Sequence, residues 1–161
     1  TINQSIIKDI EKIGNSELQL LWQTGKYYFD DAKKVADESG FKNIKVLDFI
    51  KRMDMAYAVA DIIISRAGAG TISELCLVGK PVILIPSPNV AEDHQTKNAM
   101  ALVNKDAAIM IKDVEARDKL VDEALVLIKN IEKQKTLSEN IIGMALRDSA
   151  RIIAQEVLKL G

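Results

Sequence analysis

Cysteine and histidine are each present only once in this 161-residue sequence, as Cys76 and His94. A single thiol cannot form an internal disulfide, and the start of the chain is not signal-like, so we expect a reducing, cytosolic setting. One histidine, one cysteine and scattered acidic residues do not make a dedicated transition-metal site. The sequence therefore predicts neither a metal ion nor a cofactor.

An excess of basic residues and a long apolar run are also missing. The formal net charge is −1, whereas a protein that binds the nucleic-acid backbone normally carries a basic face. The longest apolar run, 81–86, has the length of a strand and falls well short of the ~20 residues that span a bilayer. We therefore expect no nucleic-acid binding and no membrane-spanning segment in this chain.

What is present is an alternation of strand-like and helix-like segments. Ile2, Ile6, Ile10 and Ile13 form a helical stripe that ends near Gly14. Alternating strands and helices are typical of a parallel α/β sheet with right-handed crossovers and helices on both faces, a Rossmann-like fold. The predicted strands are 17–22, 44–49, 61–65, 82–85 and 107–111, and the helices between them are 30–39, 53–59, 71–78 and 93–103.

Two further helices are predicted in a C-terminal extension, about 114–161. Their stripes run from Leu120 to Ile131 and from Leu146 to Leu160. No Pro-rich linker or repeat divides the chain, so we expect a single domain over 1–161. The strand and phosphate-binding turn that usually open such a unit are missing before Thr1, and we therefore expect the natural protein to extend upstream.

The strongest local motif is the Gly-rich turn 66–74, where an apolar strand leads into a helix. Such a turn lets backbone N–H groups approach an anion such as a diphosphate, and the helix N-terminus adds a partial positive charge. Alternatively, Gly68 and Gly70 only permit a tight turn, with Thr71 or Ser73 capping the helix. Glu74, expected in the first turn, either accepts hydrogen bonds from a ribose diol or is a helix-start carboxylate.

Two more segments are placed at the carboxyl edge of the predicted sheet, where open sheets bind ligands. In 86–98, His94, Gln95 and Asn98 can donate hydrogen bonds to hydroxyls, although a lone histidine there is more often a surface or capping residue. Phe49 and Ile50 follow a strand and could flank a flat base, with the main chain of Ile50 meeting its polar edge. Phe49 taken by itself is expected to pack in the core.

Together these motifs resemble the MurG family, the bacterial N-acetylglucosaminyltransferases of peptidoglycan synthesis. The resemblance covers roughly 1–112, and two C-terminal helices also suit the family. It implies a GT-B enzyme of two Rossmann-like domains, of which this chain is the C-terminal, donor-binding one. The segments that carry it are 22–26, 48–50 with Met53, 60–74, 79–81, 85–86 and 93–99.

The resemblance also implies residue roles. The main chain of Ile50 would bind uracil, Ala69 to Thr71 the diphosphate, Glu74 the ribose and Gln95 the sugar. His94 departs from relatives that carry Gln there, and the loop 87–93 is one residue longer. The full set of implied substrate-binding residues is Phe49, Ile50, Met53, Ala69, Gly70, Thr71, Ile72, Ser73, Glu74, His94 and Gln95, with no catalytic residue in this chain.

The implied reaction is inverting transfer of GlcNAc from UDP-N-acetylglucosamine to lipid I, giving lipid II for the cell wall. Lipid I would bind the absent N-terminal acceptor domain, and the whole enzyme would lie peripherally on the cytoplasmic face of the bacterial inner membrane. These residues alone are expected to have little transferase activity. The alternatives are a UDP-sugar-binding subunit of a split glycosyltransferase, another UDP-sugar GT-B enzyme, or a structural protein.

Overall fold

The computed structural model describes residues 1–89 and 93–159. Helices and strands alternate along the chain as far as a helical C-terminal region. Its elements are α1 Ile2–Lys8, α2 Ile10–Gly14, β1 Leu20–Gln23, α3 Lys26–Ser39, β2 Ile44–Leu47, α4 Met53–Val59, β3 Ile63–Ser65, α5 Ala69–Val78, β4 Val82–Leu84, α6 His94–Val103, β5 Ile109–Met110, α7 Asp113–Lys129, α8 Ile131–Ile142 and α9 Ser149–Leu158.

Each described strand runs parallel to the strand it pairs with, but the five strands form two separate sheets rather than the single sheet that the sequence predicts. One sheet pairs β1 with β2 and places Trp22 opposite Val46. The other has the order β3-β4-β5. Because parallel strands need crossover connections, a helix lies between each pair of successive strands, as the sequence predicts. The carboxyl ends of β3 and β4 therefore share one edge, from which the Gly-rich turn begins.

The core is built on β4, which is buried on both faces. Val82, Ile83 and Leu84 are all 0% exposed. Val82 and Leu84 belong to a cluster with α5 and α6, whereas Ile83 belongs to a cluster with α7 and α8. This two-sided burial explains why the strand is a continuous apolar run rather than an alternating one.

The N-terminal stripe is buried as predicted, but it is carried by two helices. Ile6, Ile10 and Ile13 are buried against β1 and α3. Asp9 interrupts the helix, with φ −108° and ψ 26°, and its carboxylate pairs with Lys12 at 3.3 Å. The prediction of one continuous helix is therefore wrong at this residue, although the apolar face is kept.

Element ends differ from the predictions by a few residues. β1 begins at Leu20 rather than 17, because the Asn43 side-chain amide holds the preceding segment as a turn. It donates to Ile13 O at the end of α2 and to Ser16 O and Leu18 O in the turn, the last at 2.8 Å. α3 begins at Lys26 rather than 30, directly after Gly25, whose φ is +74°. A positive φ is readily adopted by glycine, which makes Gly25 suited to that turn.

The C-terminal region contains three described helices rather than the predicted two. α7 ends at Lys129, and the Asn130 side chain accepts a hydrogen bond from Lys133 N at 3.0 Å, which caps the start of α8. Leu137 and Ile141 of α8 are fully buried. The apolar face of α9 is exposed, and Leu160 lies outside the described residues. None of the described helices is both long and apolar enough to cross a membrane.

Candidate functional site

The turn after β3 leads into α5 without a side-chain cap. Gly68 is the N-cap residue, with φ −65° and ψ 148°, and the first intrahelical bond runs from Ile72 N to Gly68 O at 2.9 Å. The N–H groups of Ala69, Gly70 and Thr71 come before Ile72 in the chain, so they have no acceptor within the helix. The Ser73 hydroxyl donates to Ala69 O at 3.2 Å, so Ser73 does not cap the helix. The capping alternative is therefore wrong, and a helix N-terminus of this kind can accept an anion.

The glycines of this turn provide space rather than an unusual backbone conformation. Neither Gly68 nor Gly70 has a positive φ. A Cβ added at Gly70 would meet no atom within 4 Å, and one added at Gly68 would meet only Thr71 Oγ1 at 3.6 Å. The backbone thus tolerates other residues at both positions. Because Gly68 and Gly70 have no side chains, the space next to the first backbone amides of α5 stays open.

Arg66 anchors the start of the Gly-rich turn to the chain after β4 and to α7. Its Nη1 donates to Ile85 O at 3.1 Å and to Pro86 O at 3.3 Å, and it forms an ion pair with Asp113 at the start of α7. The Thr1 hydroxyl donates to the other carboxylate oxygen of Asp113 at 2.7 Å. The sequence reasoning gave Asp113 no role; its place in the first turn of a helix was the only signal.

The pKa of Asp113 is below its ordinary value. Burial of the carboxylate, whose side chain is 15% exposed, acts to raise the pKa. The hydrogen bonds from Thr1 and Arg66, together with the Arg66 charge, outweigh that effect and lower it. Asp113 is therefore held as a carboxylate, which maintains its ion pair with the Arg66 guanidinium at the start of the turn.

Gln95 and Asn98 of α6 join the loops that follow β3 and β4. Gln95 Oε1 accepts hydrogen bonds from Ala67 N at 3.2 Å and from Ser87 N at 2.9 Å. Asn98 Nδ2 donates to Ala67 O at 3.0 Å. With its oxygen engaged, Gln95 has its Nε2 as the group to offer a ligand.

His94, the first residue of α6, is exposed and directly precedes Gln95, which bonds to the loops after β3 and β4. The loop that the sequence analysis assigned to 87–93 includes Val90, Ala91 and Glu92, which lie outside the described residues. The path of the chain from β4 to His94 is therefore described only as far as Asn89 and again from Asp93.

The segment predicted to meet a base, Phe49 and Ile50, lies in the loop between β2 and α4, next to the end of β1. Phe49 is 62% exposed, so the expectation that it packs in the core is wrong. Ile50 N donates to Gln23 Oε1 at 2.8 Å, and Phe49 N donates to Asp48 Oδ1 at 2.7 Å. A largely apolar groove of about 560 Å³ adjoins this loop, and its apolar lining is Leu21, Leu47, Phe49, Ile50, Met55, Ala56 and Val59.

Met53 begins α4, is half-buried and does not line that groove. The hydrogen bonds and the groove thus connect Phe49 and Ile50 to β1 and α4, while the other predicted residues cluster around α5 and α6.

Glu74 is exposed and lies in the second turn of α5, not the first. The helix starts at Ala69, two residues earlier than predicted, so Glu74 is farther from the positive end of the helix dipole. Burial raises the pKa of Tyr57 in α4, and the nearby charge of Glu74 raises it further. The charge of Glu74 on α5 therefore acts on the Tyr57 hydroxyl of α4.

Within the described residues, no group of three or more His, Cys, Asp and Glu side chains could hold a metal ion. Cys76 is buried, and this burial raises the pKa of its thiol. A buried thiol with a raised pKa is not an activated nucleophile.

Comparison of the sequence with family models decides the class of this domain. Residues 1–154 match the model described as "Glycosyltransferase family 28 C-terminal domain". The chain belongs to this family.

Two curated relatives of this family 28 domain carry the same name. The chain is 57% identical over 162 residues to the UDP-N-acetylglucosamine--N-acetylmuramyl-(pentapeptide) pyrophosphoryl-undecaprenol N-acetylglucosamine transferase of Bacteroides thetaiotaomicron, covering 99% of this chain and 44% of the relative. The protein of the same name from Cytophaga hutchinsonii is 53% identical over 160 residues, covering 99% and 42%. The family 28 domain therefore spans less than half the length of these relatives.

Solved structures support the fold of the family 28 domain. The crystal structure of Acinetobacter baumannii MurG superposes with a TM-score of 0.82 at 23% identity, covering 97% of this chain and 46% of that one. A kitacinnamycin glycosyltransferase superposes with a TM-score of 0.66 at 18% identity, covering 96% and 38%. The predicted resemblance to the MurG family and the predicted fold, the C-terminal half of a GT-B protein, are confirmed.

Proposed function

We propose that this chain is the domain that binds UDP-N-acetylglucosamine in an inverting GlcNAc transferase. The observation that carries the proposal is the uncapped N-terminus of α5 at the carboxyl edge of β3, in a chain whose relatives are named for that donor. The backbone N–H groups of Ala69, Gly70 and Thr71, at the N-terminal end of α5, are hydrogen-bond donors for a diphosphate.

The same amides supply the chemistry that this domain contributes. When GlcNAc leaves the donor, negative charge accumulates on the departing diphosphate. Fixed N–H donors and the positive end of the α5 dipole stabilise that charge without reorganising. A general base for the acceptor hydroxyl is also required, and we assign no residue of this chain to that role.

The other groups of the donor have matching sites on α5, at the start of α6 and in the loop before α4. The exposed Glu74 carboxylate accepts hydrogen bonds from the two ribose hydroxyls. Gln95 Nε2 and His94 donate to the sugar at the start of α6. The main chain of Ile50 binds uracil, with Phe49 and Met53 beside it. Ile72 and Ser73 complete the first turns that face the donor.

The acceptor would be lipid I, consistent with the undecaprenol-linked muramoyl group named in the relatives. Because the chain spans 44% of the Bacteroides thetaiotaomicron protein, we place acceptor binding in residues outside this chain. The single domain 1–161, with its helical extension, then works against an N-terminal acceptor domain. The complete enzyme would lie peripherally on the cytoplasmic face of the inner membrane and form lipid II for the cell wall.

Calorimetric titration with UDP, and competition between different UDP-sugars, tests this proposal. Glu74→Ala is expected to weaken UDP binding by about tenfold or more, because hydrogen bonds to a charged group are lost. Glu139→Ala is the matched control, since Glu139 is also an exposed helical glutamate but lies on α8. Equal affinity for both variants would remove Glu74 from the site, and no binding of any uridine diphosphate would refute the proposed function.

A further inference from the structure

Gln23 makes a hydrogen bond that the proposed donor site also needs. It is the last residue of β1, and its side-chain Oε1 accepts from Ile50 N at 2.8 Å. A backbone N–H group can only donate a hydrogen bond, so the Gln23 atom that accepts it is the side-chain carbonyl oxygen. The Ile50 N–H is therefore occupied by an amide carbonyl of the protein itself.

The backbone around Gln23 holds this arrangement in register. Gln23 is paired with Leu47 in the β1–β2 ladder. Thr24 N donates to Leu47 O at 2.9 Å, and Gly25 N donates to Asp48 O at 3.2 Å. These bonds fix the end of β1 beside the loop that carries Ile50, whatever the Gln23 side chain does.

The Gln23 side chain, in contrast, is not packed in place by the fold. Gln23 is exposed, and its bond to Ile50 lies at the protein surface. Exposed side chains change rotamer on the picosecond-to-nanosecond timescale, so the bond can open without rearranging the strand.

We infer that Gln23 is a resident substitute for the uracil base. Its carboxamide C=O occupies the Ile50 N–H that a uracil carbonyl takes when the donor binds, and the side chain swings out in exchange. This inference rests on the proposed function, in which the main chain of Ile50 binds the base. Gln23 is thus a positioning residue that accepts the hydrogen bond of the Ile50 N–H when no nucleotide sugar is bound.

The exchange has a measurable consequence. A ligand that must displace an internal partner binds with an apparent affinity reduced by the fraction of molecules in which the site is free. Because the net contribution of a typical hydrogen bond is small, we expect this reduction to be about two- to fivefold. Removing the acceptor oxygen should therefore strengthen binding, which is the opposite of deleting a contact residue.

Titrations of the 161-residue chain with UDP and with inorganic pyrophosphate test this inference. Gln23→Met keeps the length of the side chain and removes the oxygen, so UDP affinity should rise about two- to fivefold while pyrophosphate affinity stays the same. Gln23→Glu should weaken UDP binding, because a carboxylate holds the Ile50 N–H more strongly. Gln23→Ala repeats the test with a second variant, and Gln19→Met, an exposed glutamine just before β1, is the matched control.

The outcomes separate the two proposals. If Gln23→Met or Gln23→Ala weakens UDP binding, Gln23 contacts the base itself, and the inference is wrong. Unchanged UDP affinity in both variants also overturns it while leaving the proposed function intact. Failure of the wild-type chain to bind UDP refutes the proposed function, and the inference with it.

Discussion

At the scale of single residues, the proposed donor site depends on the absence of side chains as much as on their presence. Gly70 lies in the first turn of α5, and the space beyond it is open. Because its backbone conformation suits any residue, the fold gives no reason for glycine at this position. Close approach of a phosphate to the Gly70 amide does give one.

Gly70→Ala should therefore separate stability from binding. Alanine favours helix formation over glycine by up to about 1 kcal/mol, so thermal unfolding should occur at the same or a slightly higher temperature. The new methyl group would cover the first amides of α5, and we expect UDP affinity to fall about tenfold by calorimetry. A variant with unchanged affinity would show that the diphosphate does not approach Gly70.

Individual residues also show where sequence reasoning reaches its limit. The strand, the turn and the helix around 66–74 follow from a continuous stretch of sequence, and the structure has them. The bonds of Ile50 with Gln23 and of Arg66 with Asp113 join residues that are 27 and 47 positions apart. No local pattern encodes such pairs, because the packing of separate elements brings them together.

At the scale of elements, burial explains which predictions hold. β4 was predictable because a strand that is covered on both faces must be continuously apolar. α8 was not, because the stripe of α7 runs without a visible break into Ile131. In the structure Ile131 is 68% exposed and begins the next helix, while Asn130 ends α7 and caps α8. Asparagine at a helix cap is the signal that could have separated them.

The contact between α7 and the Gly-rich turn gives a pH-dependent prediction. The pKa of Asp113 is lower in the folded chain than its ordinary value of 3.8. Its stabilising contribution is therefore fully present above the unfolded pKa and is lost as the pH falls through the folded one. Asp113→Asn should lower the free energy of unfolding by on the order of 1 kcal/mol at pH 7, a shift of roughly 2–4 °C in Tm.

Thermal unfolding at pH 7 and near pH 3 checks this prediction. The difference between wild type and Asp113→Asn should shrink at the lower pH, because the contribution of the carboxylate is lost as the pH falls from the unfolded pKa towards the lower folded pKa. Asp122→Asn is the control, because Asp122 pairs with Lys12 at 2.8 Å on the exposed surface, where ion pairs contribute little. An Asp113→Asn difference that is the same at both pH values would contradict the role of the ion pair.

At the scale of the whole molecule, the proposed function gives this chain the donor site and leaves the acceptor to residues outside it. The α5 amides, Glu74 and the start of α6 lie around the carboxyl ends of β3 and β4, where open α/β sheets bind ligands. The loop of Ile50 lies at the end of the other sheet and leads directly into α4. On the proposed function, the base binds at that loop and the diphosphate binds at the start of α5.

A residue-resolved NMR titration of the isotopically labelled chain with UDP shows whether the diphosphate binds at the start of α5. We expect saturating UDP to shift the amide signals of Ala69, Gly70 and Thr71, and that of Ile50. Uridine without phosphates should shift Ile50 and leave the three α5 amides nearly unchanged. If saturating UDP left the α5 amide signals in place, the diphosphate would not bind at this helix, and the account of the site would be wrong.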